Sequence, residues 1–215
     1  QYAPIKLEAL LHLMEKRFAR QKDLIKTELS MIEKPFKSDR IFQIKSRVQL
    51  FEKVREMLGR AEQVILMDIF PDLLQEIKSE IEVLSSKNLK IHIKTYRSTA
   101  IEGADVIVDA RGEAILSDYP GQWIKISIDG MEQLTGLISK DRQTLHHGIW
   151  TESSFLSLMN HFGMKSEMDL DRIVTRLRQR DDPELRQILK SYTSEAKYSL
   201  PGYQKLMKQL SKKGE

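Results

Sequence analysis

The stretch "QWIKISIDGMEQLTGLIS", residues 122–139, carries the strongest fold signal in the chain. Two strand-like runs, "QWIKISID" and "EQLTGLIS", flank the turn "DGME", and Asp-Gly between such runs indicates a hairpin. The acidic residue of the turn, Asp129, is followed after six residues by Gly136. We therefore expect an antiparallel hairpin with a carboxylate at its turn and a glycine within its second strand.

The segments before the hairpin predict a parallel pair of strands. A continuous apolar run at 63–70, "QVILMDIF", is typical of a buried strand, and "LKIHIKTY" at 89–96 alternates as a half-buried strand does. A helical pattern precedes the first strand, and a second helix opens at Pro71 between the two. This order of elements predicts a βαβ unit within an α/β sheet. Three shorter strands are expected at 104–111, 113–118 and 144–151.

The N-terminal segment, from Pro4 to about Glu33, has the pattern of one long amphipathic helix. Its apolar residues follow a 4-3 repeat, which is typical of a helix that pairs with another helix in a coiled coil. We expect residues 1–35 to be a dimerisation segment that forms a homodimer; packing on its own domain is the alternative. The predicted dimerisation residues are Leu7, Leu11, Met14, Phe18, Ile25 and Ile32.

The remainder of the chain divides into two predicted regions. Residues 41–163 carry the strands and form the expected α/β domain, which ends in a helix. The core face of that helix is predicted to consist of Phe155, Leu158, Met159 and Phe162. After Gly163 the composition shifts to charged amphipathic segments, so residues 164–215 are expected to form a helical tail.

Composition and charge exclude several classes of protein. No cysteine occurs among the 215 residues, which excludes disulfides, thiolate metal sites and cysteine nucleophiles and fits a reducing cytoplasm. Basic residues (35) nearly balance acidic ones (31), so the charge does not demand a polyanionic partner. No apolar run approaches the roughly 18–20 residues that a membrane helix needs. The opening "QYAPIKLEALL" has no initiator Met, and we interpret the chain as a fragment of a longer protein.

The spacing from Asp129 to Gly136 matches the second half of the phosphodiesterase signature H-x-K-x4-D-x6-G-S. In that alignment Gln122 takes the place of the nucleophilic His and Ile124 that of the Lys. The neighbouring Lys125 points to the other face of the strand. Without an imidazole and a correctly placed Lys, phosphoryl transfer lacks its nucleophile and its phosphate clamp. The sequence therefore predicts that the chain is not an enzyme.

Histidines elsewhere leave one catalytic alternative open. A phosphodiesterase of the phospholipase D class could take its nucleophile from His92 or His147. His146 and His147 are adjacent in a predicted strand, so their side chains face opposite sides and are poorly placed to share a metal ion. Neither a metal site nor a cofactor is expected, because the common phosphate-, nucleotide- and zinc-binding motifs do not occur.

Polar and aromatic residues at strand ends are the candidates for ligand binding, because α/β folds place ligands there. An aromatic ring beside a carboxylate and amides is suited to holding a sugar. The alternative for each tryptophan is that it only fills space in the core. The predicted ligand-binding residues are Asp68, Tyr96, Gln122, Trp123, Asp129, Ser139, Trp150 and Thr151.

These features together resemble the TrmB-type sugar-responsive transcriptional regulators, in the part that follows their winged helix-turn-helix. The similarity covers residues 1–163. It rests on the lead from Tyr2 and Pro4 into the N-terminal helix, the helix-strand-helix-strand of residues 44–96, "IDGMEQLTGLIS" and "GIWTESSFLSLMNHF". The C-terminal helical tail lies outside it.

The resemblance implies a phospholipase D-like mixed sheet flanked by helices, used to bind an effector, with a coiled-coil helix that mediates dimerisation. It also implies operator DNA as a partner, bound through an N-terminal domain that this sequence does not contain. The expected function is thus the effector-binding and dimerisation region of a cytoplasmic transcriptional regulator that senses a sugar or another small metabolite. The alternatives are a phospholipase D-like phosphodiesterase and a protein-interaction module without a ligand.

Overall fold

A computed structural model of the chain describes residues 7–32, 40–177 and Pro183. The chain separates into two compact units, residues 1–37 and residues 38–215. The first unit contains helix α1 (Leu7–Ile32), which lies within the bounds predicted for the N-terminal helix. Most of the predicted C-terminal tail, residues 178–182 and 184–215, lies outside the described residues.

Helix α1 exposes the apolar side chains of its predicted seam. Leu7 and Phe18 are each 70% exposed, and Leu11, Met14 and Ile25 are exposed as well; the side chain of Ile32 lies outside the described residues. A helix in water gains most of its stability from burying its apolar face against a neighbour. Dimerisation through this seam stays a prediction.

The second unit is a mixed α/β fold in which helices flank a seven-stranded sheet, which confirms the predicted fold class. The sheet has the order β1-β7-β6-β5-β2-β3-β4. Its elements in chain order are β1 (Ile41–Gln43), α2 (Arg47–Arg60), β2 (Val64–Ile69), α3 (Pro71–Gln75), α4 (Lys78–Ser85), β3 (Lys90–Thr95), β4 (Asp105–Val108), α5 (Gly112–Asp118), β5 (Gly121–Ile128), β6 (Glu132–Ser139), β7 (Leu145–Thr151) and α6 (Ser154–Leu177).

The predicted βαβ unit and hairpin are both present. Strands β2, β3 and β4 pair in parallel, whereas β5 joins β2 antiparallel and leads into the β5–β6 hairpin. At the hairpin turn Asp129 and Gly130 have φ of 53° and 66°, as a tight turn between twisted strands requires. In β6, a Cβ on Gly136 would lie 2.9 Å from the methyl groups of Leu50, so the glycine lets α2 pack directly on the sheet.

The two faces of the sheet are covered differently. Helices α2, α3 and α4 bury one face with an extensive apolar core that includes Ile65, Met67 and Ile126. Helix α6 covers the other face over β2 and β4, where Met164 and Met168 pack on a small apolar cluster. Because side chains alternate along a strand, every strand contributes to both faces.

Two local predictions were wrong. Residues 113–118 were expected to be a strand, but they form most of α5, in which the amide of Ile115 bonds to the carbonyl of Arg111. The consecutive residues Ile115 and Leu116 both pack against the core from this helix. The apolar residues predicted as the core face of α6 are instead exposed: Phe155, Leu158, Met159 and Phe162.

Helix α6 also continues without a break through Gly163, where the sequence predicted the end of the α/β domain. Its second half packs on the sheet through Met164, Met168 and Val174. Of the helices in the described ranges, none is long and apolar enough to cross a membrane.

Candidate functional site

A network of charged and aromatic side chains lies at the carboxyl ends of the parallel strands β2 and β3, on the face that α6 partly covers. Asp68 of β2 pairs in register with Lys94 of β3 on one side and with Lys125 of β5 on the other. Residues that are opposite each other in neighbouring strands share a face, so the sheet itself brings this carboxylate and these two ammonium groups together.

Asp68 is the acceptor at the centre of the network, and it is almost fully buried. Its Oδ1 accepts hydrogen bonds from Tyr96 Oη at 2.5 Å and from Trp123 Nε1 at 2.8 Å. Its Oδ2 accepts a hydrogen bond from Lys125 Nζ at 3.1 Å. Three side-chain donors from two strands thus satisfy one buried carboxylate, as burial of a charge requires.

Lys94 forms the second half of the network. Its Nζ lies 2.6 Å from Oδ2 of Asp171, on α6, and 3.2 Å from Oδ2 of Asp109, which follows β4. The carboxylate of Asp109 also binds the backbone amide and the guanidinium group of Arg111. These contacts tie the second half of α6 to the sheet.

Burial and neighbouring charges shift the pKa values of these groups. Burial opposes the charge on Lys94, but Asp171, Asp68 and Asp109 outweigh this effect and raise the pKa of the lysine. Burial raises the pKa of the Tyr96 hydroxyl, and the charge of Asp68 raises it further. Burial also raises the pKa of Asp171, whereas for Asp109 the effects of Lys94 and Arg111 exceed that of burial and lower the pKa.

The fixed charges of the network cancel. Three carboxylates, on Asp68, Asp109 and Asp171, face three cations, and the cations are Lys94, Lys125 and Arg111. A site with balanced internal charges offers hydrogen-bonding groups without a surplus of either sign.

Aromatic rings surround the Asp68 side of the network. Trp123 lies at the centre of this aromatic group. The ring centroids of Phe70, Tyr119 and Tyr96 lie 4.6, 4.8 and 5.2 Å from that of Trp123, and all three rings are steeply inclined to the indole. Phe70 and Tyr96 are buried, whereas Trp123, Tyr119 and Lys125 are partly exposed. The rim of the site that faces solvent is therefore an indole, a phenol and an ammonium group.

Of the eight predicted ligand-binding residues, three meet here: Asp68, Tyr96 and Trp123. Gln122 precedes Trp123 in β5, but its side chain points to the other face and donates from Nε2 to Asp72 Oδ2 and to the carbonyl of Lys140, both at 3.3 Å. It is therefore a neighbour of the network and not a part of it.

Asp129 and Ser139 have structural contacts away from the network. The carboxylate of Asp129 accepts hydrogen bonds from the backbone amides of Glu62, Gln63 and Val64 at 2.7–2.9 Å, which fixes the hairpin turn to the start of β2. Ser139 donates to Asp141 and accepts from the amide of Thr144 within the β6–β7 turn.

Trp150 and Thr151 also lie apart from the network. Trp150 stacks on Phe42 with ring centroids 4.8 Å apart, and Lys53 Nζ lies 3.6 Å above its ring, on the face that α2 covers. The hydroxyl of Thr151 donates to the carbonyl of Arg40 at 2.6 Å. The surroundings of Trp150 therefore fit the alternative interpretation, in which this tryptophan only fills space in the core.

Sequence reasoning missed Lys94, Asp109, Lys125 and Asp171 as parts of this site. A signal was present for the two lysines, because each interrupts a strand that is otherwise rich in Ile and would be costly to bury alone. The prediction that Lys125 faces away from Ile124 was confirmed: Ile124 lies in the apolar core and Lys125 contacts Asp68. Asp171 gave no local signal, since it lies in a helix among other charged residues.

The imidazoles on this side of the sheet have other partners. Nδ1 of His92 lies 2.7 Å from Oδ2 of Asp105, and Nδ1 of His161 lies 2.9 Å from Oγ of the buried Ser127. Burial lowers the pKa of His161. Within the described ranges, no group of three or more His, Asp or Glu side chains is arranged to hold a metal ion.

Comparison with known proteins gives distant similarities. No family model matches the chain. The uncharacterised protein YrhO of Bacillus subtilis is 25% identical over 116 residues, which are 52% of this chain and 42% of YrhO. The chain therefore matches less than half of the length of that relative.

Two solved structures are similar in fold. TrmBL2, an archaeal chromatin protein with a novel mode of DNA binding, is 13% identical, with a TM-score of 0.46 over 75% of this chain and 64% of TrmBL2. NucT from Helicobacter pylori is 11% identical, with a TM-score of 0.43 over 61% of this chain and 95% of NucT. NucT is a phospholipase D-like nuclease, and this similarity contradicts the prediction that the chain is not an enzyme, which we withdraw.

Proposed function

We propose that the chain is the effector-sensing and dimerising part of a regulator that acts on DNA. The Asp68 network is the proposed sensing site, and α1 is the proposed dimerisation element. A ligand that favours one arrangement of the paired chains would change the spacing of two DNA-binding heads on operator half-sites. The family resemblance in the sequence supports the role on DNA, and the network supports the role in sensing.

The observation that carries the sensing role is the convergence of three donors on Asp68 beside a partly exposed indole. Ligand sites commonly combine aromatic walls with a few convergent polar groups, and this arrangement has both. The indole offers a flat apolar face to a sugar ring, while the partly exposed ammonium group of Lys125, which the buried Asp68 holds in place, offers donors to its hydroxyls. The balance of charges favours neutral sugars among the possible effectors.

The test uses the fact that the chain has two tryptophans, one in the network and one on the other face of the sheet. Trp150→Phe leaves Trp123 as the only indole, so its fluorescence reports on the proposed site. We expect a member of a panel of sugars and sugar phosphates to change this fluorescence and to raise the melting temperature, since binding to the native state stabilises it.

The matched control is Trp123→Phe, which keeps a ring but removes the donor to Asp68. In this variant the same compound is expected to lose its effect on the melting temperature. A panel without any effect at millimolar concentration, or an effect that persists in Trp123→Phe, would contradict a sensing role for this site.

Dimerisation is tested separately. Leu11→Glu combined with Phe18→Glu places two charges in the apolar seam, and we expect this variant to sediment as a monomer. Ala9→Glu with Lys16→Glu, seven residues apart on the opposite side of α1, is the control and should remain dimeric. An unchanged dimer in the Leu11/Phe18 variant would refute the role of α1.

A further inference from the structure

The first half of α6 carries an apolar stripe that points away from the sheet. Phe155, Met159 and Phe162 recur at the spacing of one helix face and are 71%, 59% and 58% exposed, and Leu158 beside them is 45% exposed. The β5–β6 turn extends this surface, because a Cβ on Gly130 would lie 3.1 Å from Leu158 and the next residue, Met131, is 59% exposed. We call this surface, formed by Met131, Phe155, Leu158, Met159 and Phe162, the α6 patch.

Apart from Met131, the α6 patch lies within a stretch that lacks charge. No Asp, Glu, Lys or Arg occurs from residue 153 to residue 164, although such residues make up 31% of the chain. The second half of α6, in contrast, contains six of them between 165 and 177. A helix face that is permanently in water usually carries charged residues, so this stretch has the composition of a covered surface.

Gly163 gives a second indication of a covering element. A glycine inside a helix is less favourable than alanine. Among the described residues nothing requires it here, because a Cβ on Gly163 would meet none of their atoms within 4 Å. Beside the exposed Phe162, it leaves a shallow depression into which a large side chain of a partner can pack.

We propose that the α6 patch is the contact with a second copy of this chain, with the two α6 helices antiparallel about a two-fold axis between Leu158 and Met159. In this register Phe155 of each copy meets Phe162 and the depression at Gly163 of the other. A contact about a two-fold axis joins the same surface of both copies. Phe155 and Phe162 can meet across it because they lie equally far along the helix from the axis.

Charge favours the antiparallel order. It places Glu152, just before α6, at the level of Lys165 of the second copy, whose ammonium group also binds Asp169 of its own helix, whereas a parallel pair would place like charges side by side. The size of the patch is also compatible with such a contact: five large apolar side chains, each 45–71% exposed, can form the apolar centre of an interface in which each partner buries ~800 Å².

This inference rests on the proposed function in one respect. The pairing of α1 would hold two copies together and make the contact between α6 helices intramolecular, at an effective concentration on the order of millimolar. A patch of modest size is then sufficient to position the two sensing units relative to each other.

Cross-linking tests the proposal cleanly, because the chain has no native cysteine. Met159→Cys in the full chain places a thiol next to the proposed two-fold axis. The control is Ile173→Cys, on the same side of α6 and similarly exposed at 51%, but 14 residues further along and far from the axis in an antiparallel pair. Under mild oxidation we expect a disulfide-linked dimer from the first variant, at least tenfold faster than from the second.

Sedimentation of the unmodified chain separates this inference from the proposed function. A dimer in sedimentation with selective cross-linking through residue 159 supports the contact. A dimer in sedimentation without cross-linking at 159, or with equal cross-linking at 159 and 173, overturns the antiparallel contact but leaves dimerisation through α1 intact. A monomer in sedimentation without cross-linking overturns both.

Discussion

The two faces of the central sheet use the same strands for different purposes. In β5, Ile124 and Ile126 point into the apolar core under α2. The residues that alternate with them, Trp123 and Lys125, point to the Asp68 network on the opposite face. The apolar face is closed by three helices. The opposite face is closed by α6 only in part, which leaves Trp123 and Lys125 partly exposed.

Under the proposed function, this difference separates stability from recognition on a single scaffold. Burial on the apolar face contributes on the order of 25 cal/mol per Å² and does not depend on direction. The polar face gains less from burial, because each desolvated charge must first recover its lost hydration through a partner. What the polar face provides is a fixed arrangement of donors and acceptors beside a partly exposed indole. The following predictions test how far the two faces differ.

The largest loss of stability is expected from breaking the buried ion pairs. Lys94→Met keeps a chain of similar length but leaves Asp109 and Asp171 without their ammonium partner, which should lower the free energy of unfolding by about 3–5 kcal/mol. Denaturant unfolding measures this, with Lys90→Met, at an exposed position of the same strand, as the control. Adding Asp171→Asn should recover part of the loss; a double variant less stable than Lys94→Met would contradict the assigned pairing.

A loss of similar or slightly smaller size is expected on the apolar face. Ile126→Ala leaves a cavity in the core and should lower the free energy of unfolding by about 2–5 kcal/mol. Ile149→Ala removes the same atoms from a residue that is 42% exposed, and its effect should be clearly smaller. Equal losses of unfolding free energy in the two variants would show that the two faces of the sheet differ less in burial than the structure indicates.

Acid should affect the polar face specifically. The pKa of Asp109 is lowered in the folded protein, so this residue contributes stability that is present above its ordinary pKa of 3.8 and is lost as the pH falls through the lowered value. The difference in unfolding free energy between the native chain and Asp109→Asn should therefore shrink below about pH 3.8. A difference that stays constant as the pH falls through this range would contradict the assigned role of Asp109.

The smallest effect on stability is expected from Lys125→Met. The lysine side chain is 35% exposed, and a partly solvated ion pair contributes about 1 kcal/mol or less. The melting temperature should therefore change little, while any stabilisation by an effector at the Asp68 network should be lost. A large drop in melting temperature would assign Lys125 to stability and remove the proposed distinction between the two faces.

Much of the fold was predictable because its signals are local. The apolar run of β2, the alternation in β3 and the Asp-Gly turn of the hairpin each specify one element and its neighbours. The wrong predictions arose where one local pattern is compatible with two structures. The apolar stripe of α6 was interpreted as a core face, although the residues that pack on the sheet are Met164, Met168 and Val174, further along the helix.

The candidate site was predictable only in part. Asp68, Tyr96 and Trp123 lie at or near strand ends, where the class of fold places its ligands. Lys94 and Asp171 belong to elements far apart in sequence, and only the packing of α6 on the sheet makes them partners. Asp129 was assigned to the site because it lies at a strand end, but its carboxylate is used by three backbone amides of the neighbouring strand segment.

Local sequence patterns were sufficient to predict the periodicity of each element, the turn between β5 and β6, and the long amphipathic helix at the start, because these follow from backbone geometry and side-chain spacing over a few residues. Which charged residues become partners, and which apolar stripe stays exposed, became apparent only from the packing of the folded chain. These outcomes depend on strand register and helix placement, which bring distant residues within a few ångströms of each other and which no local pattern encodes.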